Sequence, residues 1–109
     1  MKPGDVVIVN FAGVTGVKRR PSVVVSTRNY HLHRPDIIVG VLTSNVARAT
    51  APSDYLLQDW EAAGLRRRSA FRAFLLTLPA SDARLIGHLS DRDWKEIQTY
   101  FKFAIATVP

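Results

Sequence analysis

The chain has no cysteine and one methionine among its 109 residues, and it contains no long hydrophobic run. Without cysteine it has no disulfide, no thiolate metal site and no cysteine nucleophile, which suits a reducing cytoplasm. The apolar run that begins at Val6 is too short for a signal-peptide core or a membrane span. Gly-rich phosphate loops, helical His pairs and Gly-x-Ser-x-Gly elbows are absent as well. These absences indicate a soluble, unprocessed protein and leave its chemistry to scattered polar residues.

The composition is that of a folded domain. Hydrophobic residues make up 47% and charged residues 22% of the chain, and the mean hydropathy is +0.01. This is enough apolar material to bury a core, and the length suits one compact unit. We therefore expect a single domain over residues 1–109, with no separate cofactor fold and no cofactor.

Positive charge is concentrated in the first half of the chain. Lysine and arginine number 15 against 9 aspartate and glutamate, a net charge of +6. Residues 1–50 carry seven basic side chains against Asp5 and Asp36, so five of the six net charges lie there. This distribution makes a polyanion a plausible partner.

Apolar and β-branched runs predict a series of strands. They are expected at 6–11, 22–26, 36–43, 55–57 and 69–78. The intervening 12–20 reads as a basic loop, 28–35 as a polar connection, and 81–85 as one helical turn.

A helix is predicted at the end of the chain. Ser90 to Asp93 form a capping box with an acidic first turn. Trp94, Ile97 and Phe101, followed by Ala104 and Ile105, fall on one stripe of a helix running to about residue 105. The predicted fold is therefore mainly β, of the α+β class: a small curled antiparallel sheet packed by a C-terminal amphipathic helix.

Two sets of polar residues stand where strands begin or end. Arg20 precedes Pro21, whose fixed φ gives the guanidinium a defined direction, and a planar cation suits a phosphate. Thr43, Ser44 and Asn45 end the third strand and offer hydroxyl and amide groups to a phosphate or a base edge. The alternatives are a solvated basic turn and an ordinary strand-terminating turn, which these residue types also favour.

Other candidates are less specific. His31 and His33 titrate near neutrality, so either is a possible general acid or base, and the alternative is a surface histidine. The run Arg66 to Arg68, together with Arg72, suits a nucleic-acid backbone, and the alternative is a solvated face.

Taken in order, several segments resemble one family. They are Gly4-Asp5-Val6-Val7, Arg20-Pro21 before Val23-Val24-Val25-Ser26, Val41-Leu42-Thr43-Ser44-Asn45, Gly64-Leu65 before Ser69-Ala70-Phe71-Arg72, and Ile86-Gly87-His88-Leu89-Ser90-Asp91. Together they are similar to the MazF/PemK toxins of bacterial toxin–antitoxin modules, over nearly the whole chain.

The resemblance implies a small SH3-like barrel of the MazF/CcdB type, acting as a homodimer. It further implies an endoribonuclease toxin that cuts single-stranded RNA, such as mRNA, without a metal and is held by an acidic antitoxin. Arg20 and Thr43 would be the catalytic pair, supporting attack of the ribose 2′-hydroxyl on the adjacent phosphate. The neighbouring side chains expected to bind RNA are Lys18, Arg19, Ser44, Asn45 and Arg72.

The chain departs from the family pattern at two places in the long fifth strand. It has Arg72-Ala73-Phe74 where some members carry an aspartate, and His31 or His33 are the substitutes that the sequence offers. It also has an apolar stretch at Leu75–Leu78 where an arginine often occurs.

Two other functions stay open, a non-enzymatic gyrase poison resembling CcdB and a basic nucleic-acid-binding barrel without catalysis. The end of the chain, Ala106 to Pro109, lacks the tryptophan of the gyrase poisons.

Overall fold

The computed structural model describes residues 1–13 and 16–106. These residues form six strands, two α-helices and two short 3-10 turns. In chain order the elements are β1 (Asp5–Gly13), β2 (Gly16–Val24), α1 (Arg28–His33), β3 (Asp36–Thr43), β4 (Tyr55–Leu56), β5 (Ala70–Pro79), β6 (Ala83–His88) and α2 (Asp91–Phe101), with the 3-10 turns at Val46–Arg48 and Ala80–Asp82.

All six strands belong to one antiparallel sheet in the order β4-β5-β3-β2-β1-β6. The sheet curls into a half-barrel, with β4 and β6 at its edges. The predicted class, a mainly β antiparallel fold with a terminal helix, is confirmed.

Both faces of the sheet carry a buried core. One cluster, around Val6, Val23 and Phe71, includes Ile97 and therefore joins the sheet to α2. The other cluster contains Val7, Val9, Val24, Ile37 and Val39. Because successive strand residues point to opposite faces, adjacent valines such as Val6 and Val7 are both fully buried, in different clusters. The first strand is thus buried on both faces at Val6, Val7 and Val9.

The N-terminal half contains more regular structure than predicted. The expected loop 12–20 is mostly a β-hairpin, in which β1 extends to Gly13 and β2 begins at Gly16; Val14 and Thr15 lie outside the described residues. Pairing with β1 satisfies the backbone of the basic segment, a long-range gain that turn propensities do not register. The expected connection 28–35 contains α1, whose N-cap Thr27 accepts a hydrogen bond from Tyr30 N at 3.1 Å.

In the C-terminal half, β3, β4 and β5 lie where the sequence predicts them. The expected helical turn at 81–85 was wrong, because the 3-10 turn ends at Asp82 and β6 begins at Ala83. Edge strand β6 pairs only with β1, shows a register shift opposite Val6 and Val7, and leaves Leu85 56% exposed. It therefore lacks the regular alternation that identifies a strand from sequence.

Helix α2 begins as predicted. The Ser90 hydroxyl caps it, accepting a hydrogen bond from Asp93 N at 3.2 Å. The helix ends at Phe101, not near residue 105, because the backbone tightens there: Lys102 N donates to Thr99 O, and Ala104 N and Ile105 N both donate to Phe101 O. Ile97 is buried, and Trp94 and Phe101 pack against the same cluster, which confirms the apolar stripe.

Candidate functional site

A cleft of about 630 Å³ opens beside the middle of β1 and β2 and the end of β3. The segment between β4 and β5 and the strand β6 complete its walls. Its lining comprises Ile8, Arg19, Arg20, Pro21, Leu42, Ser44, Gly64, Leu65, Arg66, Arg67, Ser69, Arg84 and Ile86. The site is thus assembled from five separate regions of the sequence.

Five arginines and no acidic residue line this cleft. Within residues 1–13 and 16–106, none of the five forms an ion pair with a carboxylate. Five uncompensated guanidinium groups around one concave surface produce a strongly positive potential. Between them lie apolar side chains, including Ile8, Leu42 and Ile86. A cleft lined by both arginines and apolar residues suits a ligand that combines phosphates with flat apolar groups.

Two glycines fix the far wall of the cleft. A Cβ on Gly87 of β6 would stand 2.1 Å from the Ala63 carbonyl oxygen, and one on Gly64 would stand 2.6 Å from the Ile86 carbonyl oxygen. Gly64 also has a φ of 88°, in the left-handed region that favours glycine. The two backbones therefore touch directly, which presses the segment after Ala63 onto β6 and places Arg66 and Arg67 at the cleft.

Arg20 and Thr43 lie on neighbouring strands at the same end of the sheet. The ladder between β2 and β3 ends at the pair of Ser22 with Val41, and the same antiparallel register, continued by two residues, brings Arg20 opposite Thr43. Both side chains are half-buried. Arg20 lines the cleft, whereas Thr43 stands between two lining residues, Leu42 and Ser44. The Thr43 hydroxyl accepts a hydrogen bond from Asn45 N at 3.1 Å, which leaves its own proton to donate.

The remaining candidates divide between the cleft and its surroundings. Arg19 and Ser44 line it, whereas Lys18, Asn45 and Arg72 do not. Lys18 is exposed on β2 opposite Phe11 in the backbone register. Arg72 lies on β5, with its Nε 3.7 Å from Asp54 Oδ2.

Neither candidate histidine lines the cleft. His31 Nε2 lies 2.5 Å from the Ser26 hydroxyl, which in turn accepts from Ile38 N, so the ring ties α1 to β3. Its Nδ1 is buried and has no hydrogen-bond partner among the described residues. His33 is exposed, and its Nδ1 lies 2.9 Å from Asn29 O.

Three further arginines line the cleft: Arg66 and Arg67, which the sequence offered only as part of a basic run, and Arg84, which it did not single out. Arg66 and Arg67 belong to a basic run visible in the sequence, but its place beside Arg20 depends on the contact between the two glycines. Arg84 lies on β6, the strand that the sequence did not reveal. A sequence signal for an exposed edge strand at 83–88 would have identified Arg84.

Neither a metal site nor a membrane-spanning helix is present among the described residues. Among the described residues, no group of three or more His, Asp or Glu side chains is arranged to hold a metal ion. No helix in 1–13 or 16–106 is long and apolar enough to cross a membrane. The side chains with clearly shifted pKa values, Tyr55, Asp59 and Arg92, surround the start of α2 and do not line the cleft.

Comparison with known proteins gives one family and several solved folds. The family model described as "PemK-like, MazF-like toxin of type II toxin-antitoxin system" matches residues 2–105. No curated protein matches.

Three solved structures illustrate the likeness. An endoribonuclease in complex with its cognate antitoxin, from a mycobacterial species, superposes with a TM-score of 0.80 at 19% identity, covering 100% of this chain and 99% of that one. MazE–MazF from Deinococcus radiodurans gives 0.71 at 20% identity, with coverages of 91% and 90%. The Mycobacterium tuberculosis toxin MazF-mt6 gives 0.66 at 21% identity, with coverages of 90% and 96%. At these identities the superpositions establish a shared fold.

Proposed function

The chain belongs to the family of PemK-like, MazF-like toxins of type II toxin–antitoxin systems, and from that premise we propose that it is an endoribonuclease that cuts single-stranded RNA. The observation that carries this proposal is the cleft lined by five arginines and no carboxylate, with Arg20 and Thr43 beside it. Guanidinium groups are well suited to phosphates because they donate in a planar fork and stay charged. The structural neighbours, which include an endoribonuclease in complex with its cognate antitoxin, support the same reading.

The proposed reaction is an internal transfer at phosphorus. The ribose 2′-oxygen bonds to the adjacent phosphorus while the bond from phosphorus to the 5′-oxygen breaks, giving a 2′,3′-cyclic phosphate and a 5′-hydroxyl end. The proton leaves the 2′-hydroxyl, and the departing 5′-oxygen gains one. This chemistry needs no metal, and we propose that none takes part.

Arg20 and Thr43 would stabilise the charge that develops on the phosphate. Arg20 would donate hydrogen bonds to the nonbridging oxygens, where negative charge accumulates as the new bond forms. Thr43 would donate its hydroxyl proton to a phosphate oxygen, since Asn45 N already occupies an acceptor site on that hydroxyl. A guanidinium is too hard to deprotonate to act as a base, so Arg20 acts as a stabiliser or proton donor. The general base is not assigned to a residue.

The remaining arginines would bind the strand on either side of the cut. Arg19 precedes Arg20 on β2, and Arg66, Arg67 and Arg84 line the same cleft. Their role is to neutralise successive phosphates, which makes binding depend on salt concentration. Ser44 also lines the cleft and offers a hydroxyl to a phosphate or a base edge.

We further propose that an acidic antitoxin covers this positive surface and that the toxin acts as a homodimer in the cytoplasm. Two of the solved neighbours are complexes with antitoxins, and a cleft without a carboxylate is electrostatically matched to an acidic partner. Light scattering tests the dimer, and a strict monomer at micromolar concentration would contradict it.

The decisive experiment is incubation of the pure protein with a long single-stranded RNA in the presence of EDTA. Discrete cuts that leave cyclic phosphate ends are expected, and the same RNA should stay intact with Arg20→Ala. Arg34→Ala is the matched control, because Arg34 is an exposed arginine that pairs with Asp36 and does not line the cleft. Cutting by Arg20→Ala at the normal rate would overturn the assigned mechanism. Intact RNA with the wild-type protein would favour gyrase inhibition, tested by a supercoiling assay, or binding without catalysis.

A further inference from the structure

One buried carboxylate next to the candidate site has no place in the mechanism above. The Asp54 side chain is 3% exposed, and its Oδ2 accepts a hydrogen bond from Ala51 N at 3.0 Å. The same oxygen lies 3.7 Å from Nε of Arg72, whose side chain is 44% exposed. The pair thus joins a fixed inner carboxylate to a guanidinium that reaches the surface.

We propose that Asp54 is a positioning residue, which orients Arg72 to contact a phosphate of the RNA beside Arg20 and Thr43. This inference rests on the proposed function and extends it, because Arg72 does not line the cleft.

Arg72 shares a face of the sheet with Thr43. Thr43 pairs with Ala70 across β3 and β5, and Arg72 follows Ala70 by two residues on the same face. Phe71, between them, points into the core on the opposite face. Arg72 therefore lies two residues along β5 from Ala70, the partner of Thr43, at the point where the bulge begins. The β2–β3 register places Arg20 on this face as well.

The backbone at Arg72 is bent. Val41 pairs with Phe74 and Leu42 with Phe71, so Arg72 and Ala73 have no partner residue on β3. Ala73 has a φ of 56°, a left-handed conformation that costs a residue with a Cβ about 1–2 kcal/mol. Bulges of this kind redirect side chains at sheet edges and beside active sites. Here the bulge turns Arg72 out of the regular ladder, next to Asp54.

The contact with Asp54 leaves the terminal part of the guanidinium available. Asp54 approaches Nε, whereas the two terminal nitrogens carry the fork that binds phosphate in a bidentate manner. A buried carboxylate is costly without hydrogen bonds and a counter-charge, so Asp54 restrains the cation that faces it. The ion pair restricts the orientations open to the fork, which lowers the entropy lost when a phosphate binds.

The test is Asp54→Asn, which keeps the side-chain shape and an acceptor for Ala51 N but removes the charge. The probe is a labelled 2′-O-methyl RNA, which lacks the attacking hydroxyl, and its Kd is measured by fluorescence anisotropy over a series of salt concentrations. Asp54→Asn should weaken binding about threefold to tenfold, towards the value for Arg72→Ala, as expected for one lost phosphate contact. If Asp54 merely neutralised Arg72, removing its charge would tighten binding instead.

Asp36→Asn is the matched control. It makes the same change of net charge in another aspartate–arginine pair, 3.2 Å from Arg34, at a position that does not line the cleft. Its Kd should equal or slightly improve on the wild type. The double variant Asp54→Asn with Arg72→Ala should bind no more weakly than Arg72→Ala alone. Binding by Asp54→Asn as tight as that of Asp36→Asn, or additive losses in the double variant, would overturn the inference.

Two further measurements separate this inference from the proposed function. If circular dichroism shows that Asp54→Asn does not fold, Arg72→Lys replaces it as the test variant. Arg72→Lys keeps the positive charge and the Asp54 carboxylate but loses the oriented fork. Wild-type affinity of Arg72→Lys for the probe would refute the inference. Failure of the wild-type protein to cut RNA would overturn the proposed function, while the binding comparison still decides the role of Asp54. Failure of the wild type to bind the probe would overturn both.

Discussion

Replacing Tyr55 by phenylalanine should show how strongly a buried carboxylate holds α2 to the sheet. Asp93 is fully buried in the first turn of α2. Its Oδ1 accepts from the Tyr55 hydroxyl at 2.6 Å and from Gln58 N at 3.0 Å, and its Oδ2 accepts from Asp59 N at 2.8 Å. Tyr55→Phe removes the shortest of these bonds and leaves the aromatic ring in the core.

The expected cost is about 1.5–3 kcal/mol in the free energy of unfolding, the range for a hydrogen bond to a charged group. With an unfolding entropy of about 2 cal/mol/K per residue, this corresponds to a fall in Tm of about 7–13 °C. Urea titration and calorimetry at pH 7 measure both quantities.

Tyr100→Phe is the matched control. The Tyr100 ring lies 5.0 Å from the Tyr55 ring, between centroids, and its hydroxyl makes no hydrogen bond to any part of the chain that the structure describes. Its loss should change the free energy of unfolding by less than about 0.5 kcal/mol. Equal, small effects of the two variants would refute the account of the Asp93 cluster.

The same cluster predicts how stability changes in alkaline solution. Burial raises the pKa of Tyr55 far above its ordinary value of 10.0, and the hydrogen bond to Asp93 raises it further. The unfolded chain therefore loses this phenolic proton before the folded one does. The contribution of Tyr55 is complete below pH 10 and is lost as the pH rises through the folded-state pKa. Above pH 10 the stability of the wild type should decline more steeply than that of Tyr55→Phe, measured by urea unfolding at successive pH values.

Three other predictions concern the cleft and its surroundings. Gly87→Ala would force a Cβ to within 2.1 Å of the Ala63 carbonyl oxygen, so it should destabilise the fold by about 1–3 kcal/mol or more, read from the thermal melting curve. Arg84→Ala should weaken RNA binding and lower the slope of log Kd against log salt concentration by about 0.7, the value for one phosphate contact on a single strand. An unchanged slope would show that Arg84 does not contact the RNA. His31→Ala and His33→Ala should leave the pH–rate profile of cleavage unchanged, because neither ring lines the cleft, and a displaced profile would make a histidine the general acid or base.

The parts of the fold that the sequence predicts are those with local causes. β3 begins and ends at Asp36 and Thr43 because a continuous β-branched and apolar run is bounded there by polar residues. The start of α2 follows from the Ser90 side chain, which caps the helix by itself. Such signals lie within a few residues of their effect, so they can be read without knowledge of the partner strands.

The parts that escape prediction depend on distant partners. The first residues of β2 carry turn and basic residues, and they become strand because β1 pairs with them as far as Gly13 with Gly16. β6 is a strand only along β1. The site shows the same division: Arg19, Arg20 and Ser44 follow from strand ends, whereas Arg84 requires β6 and therefore could not be anticipated.

The positions of the carboxylates explain why the arginines of the cleft have no counter-charge. Asp59 receives two hydrogen bonds from Arg92, which lower the pKa of that carboxyl, and Asp93 is enclosed by donors around Tyr55. These carboxylates stabilise α2 and its contacts, away from the cleft. The arginines of the cleft are left without counter-charges among the described residues, and their mutual repulsion opposes folding. A polyanion that binds there relieves this repulsion and is itself bound more tightly because of it. The excess charge that destabilises the free protein is therefore the same charge that would favour binding of the proposed RNA substrate.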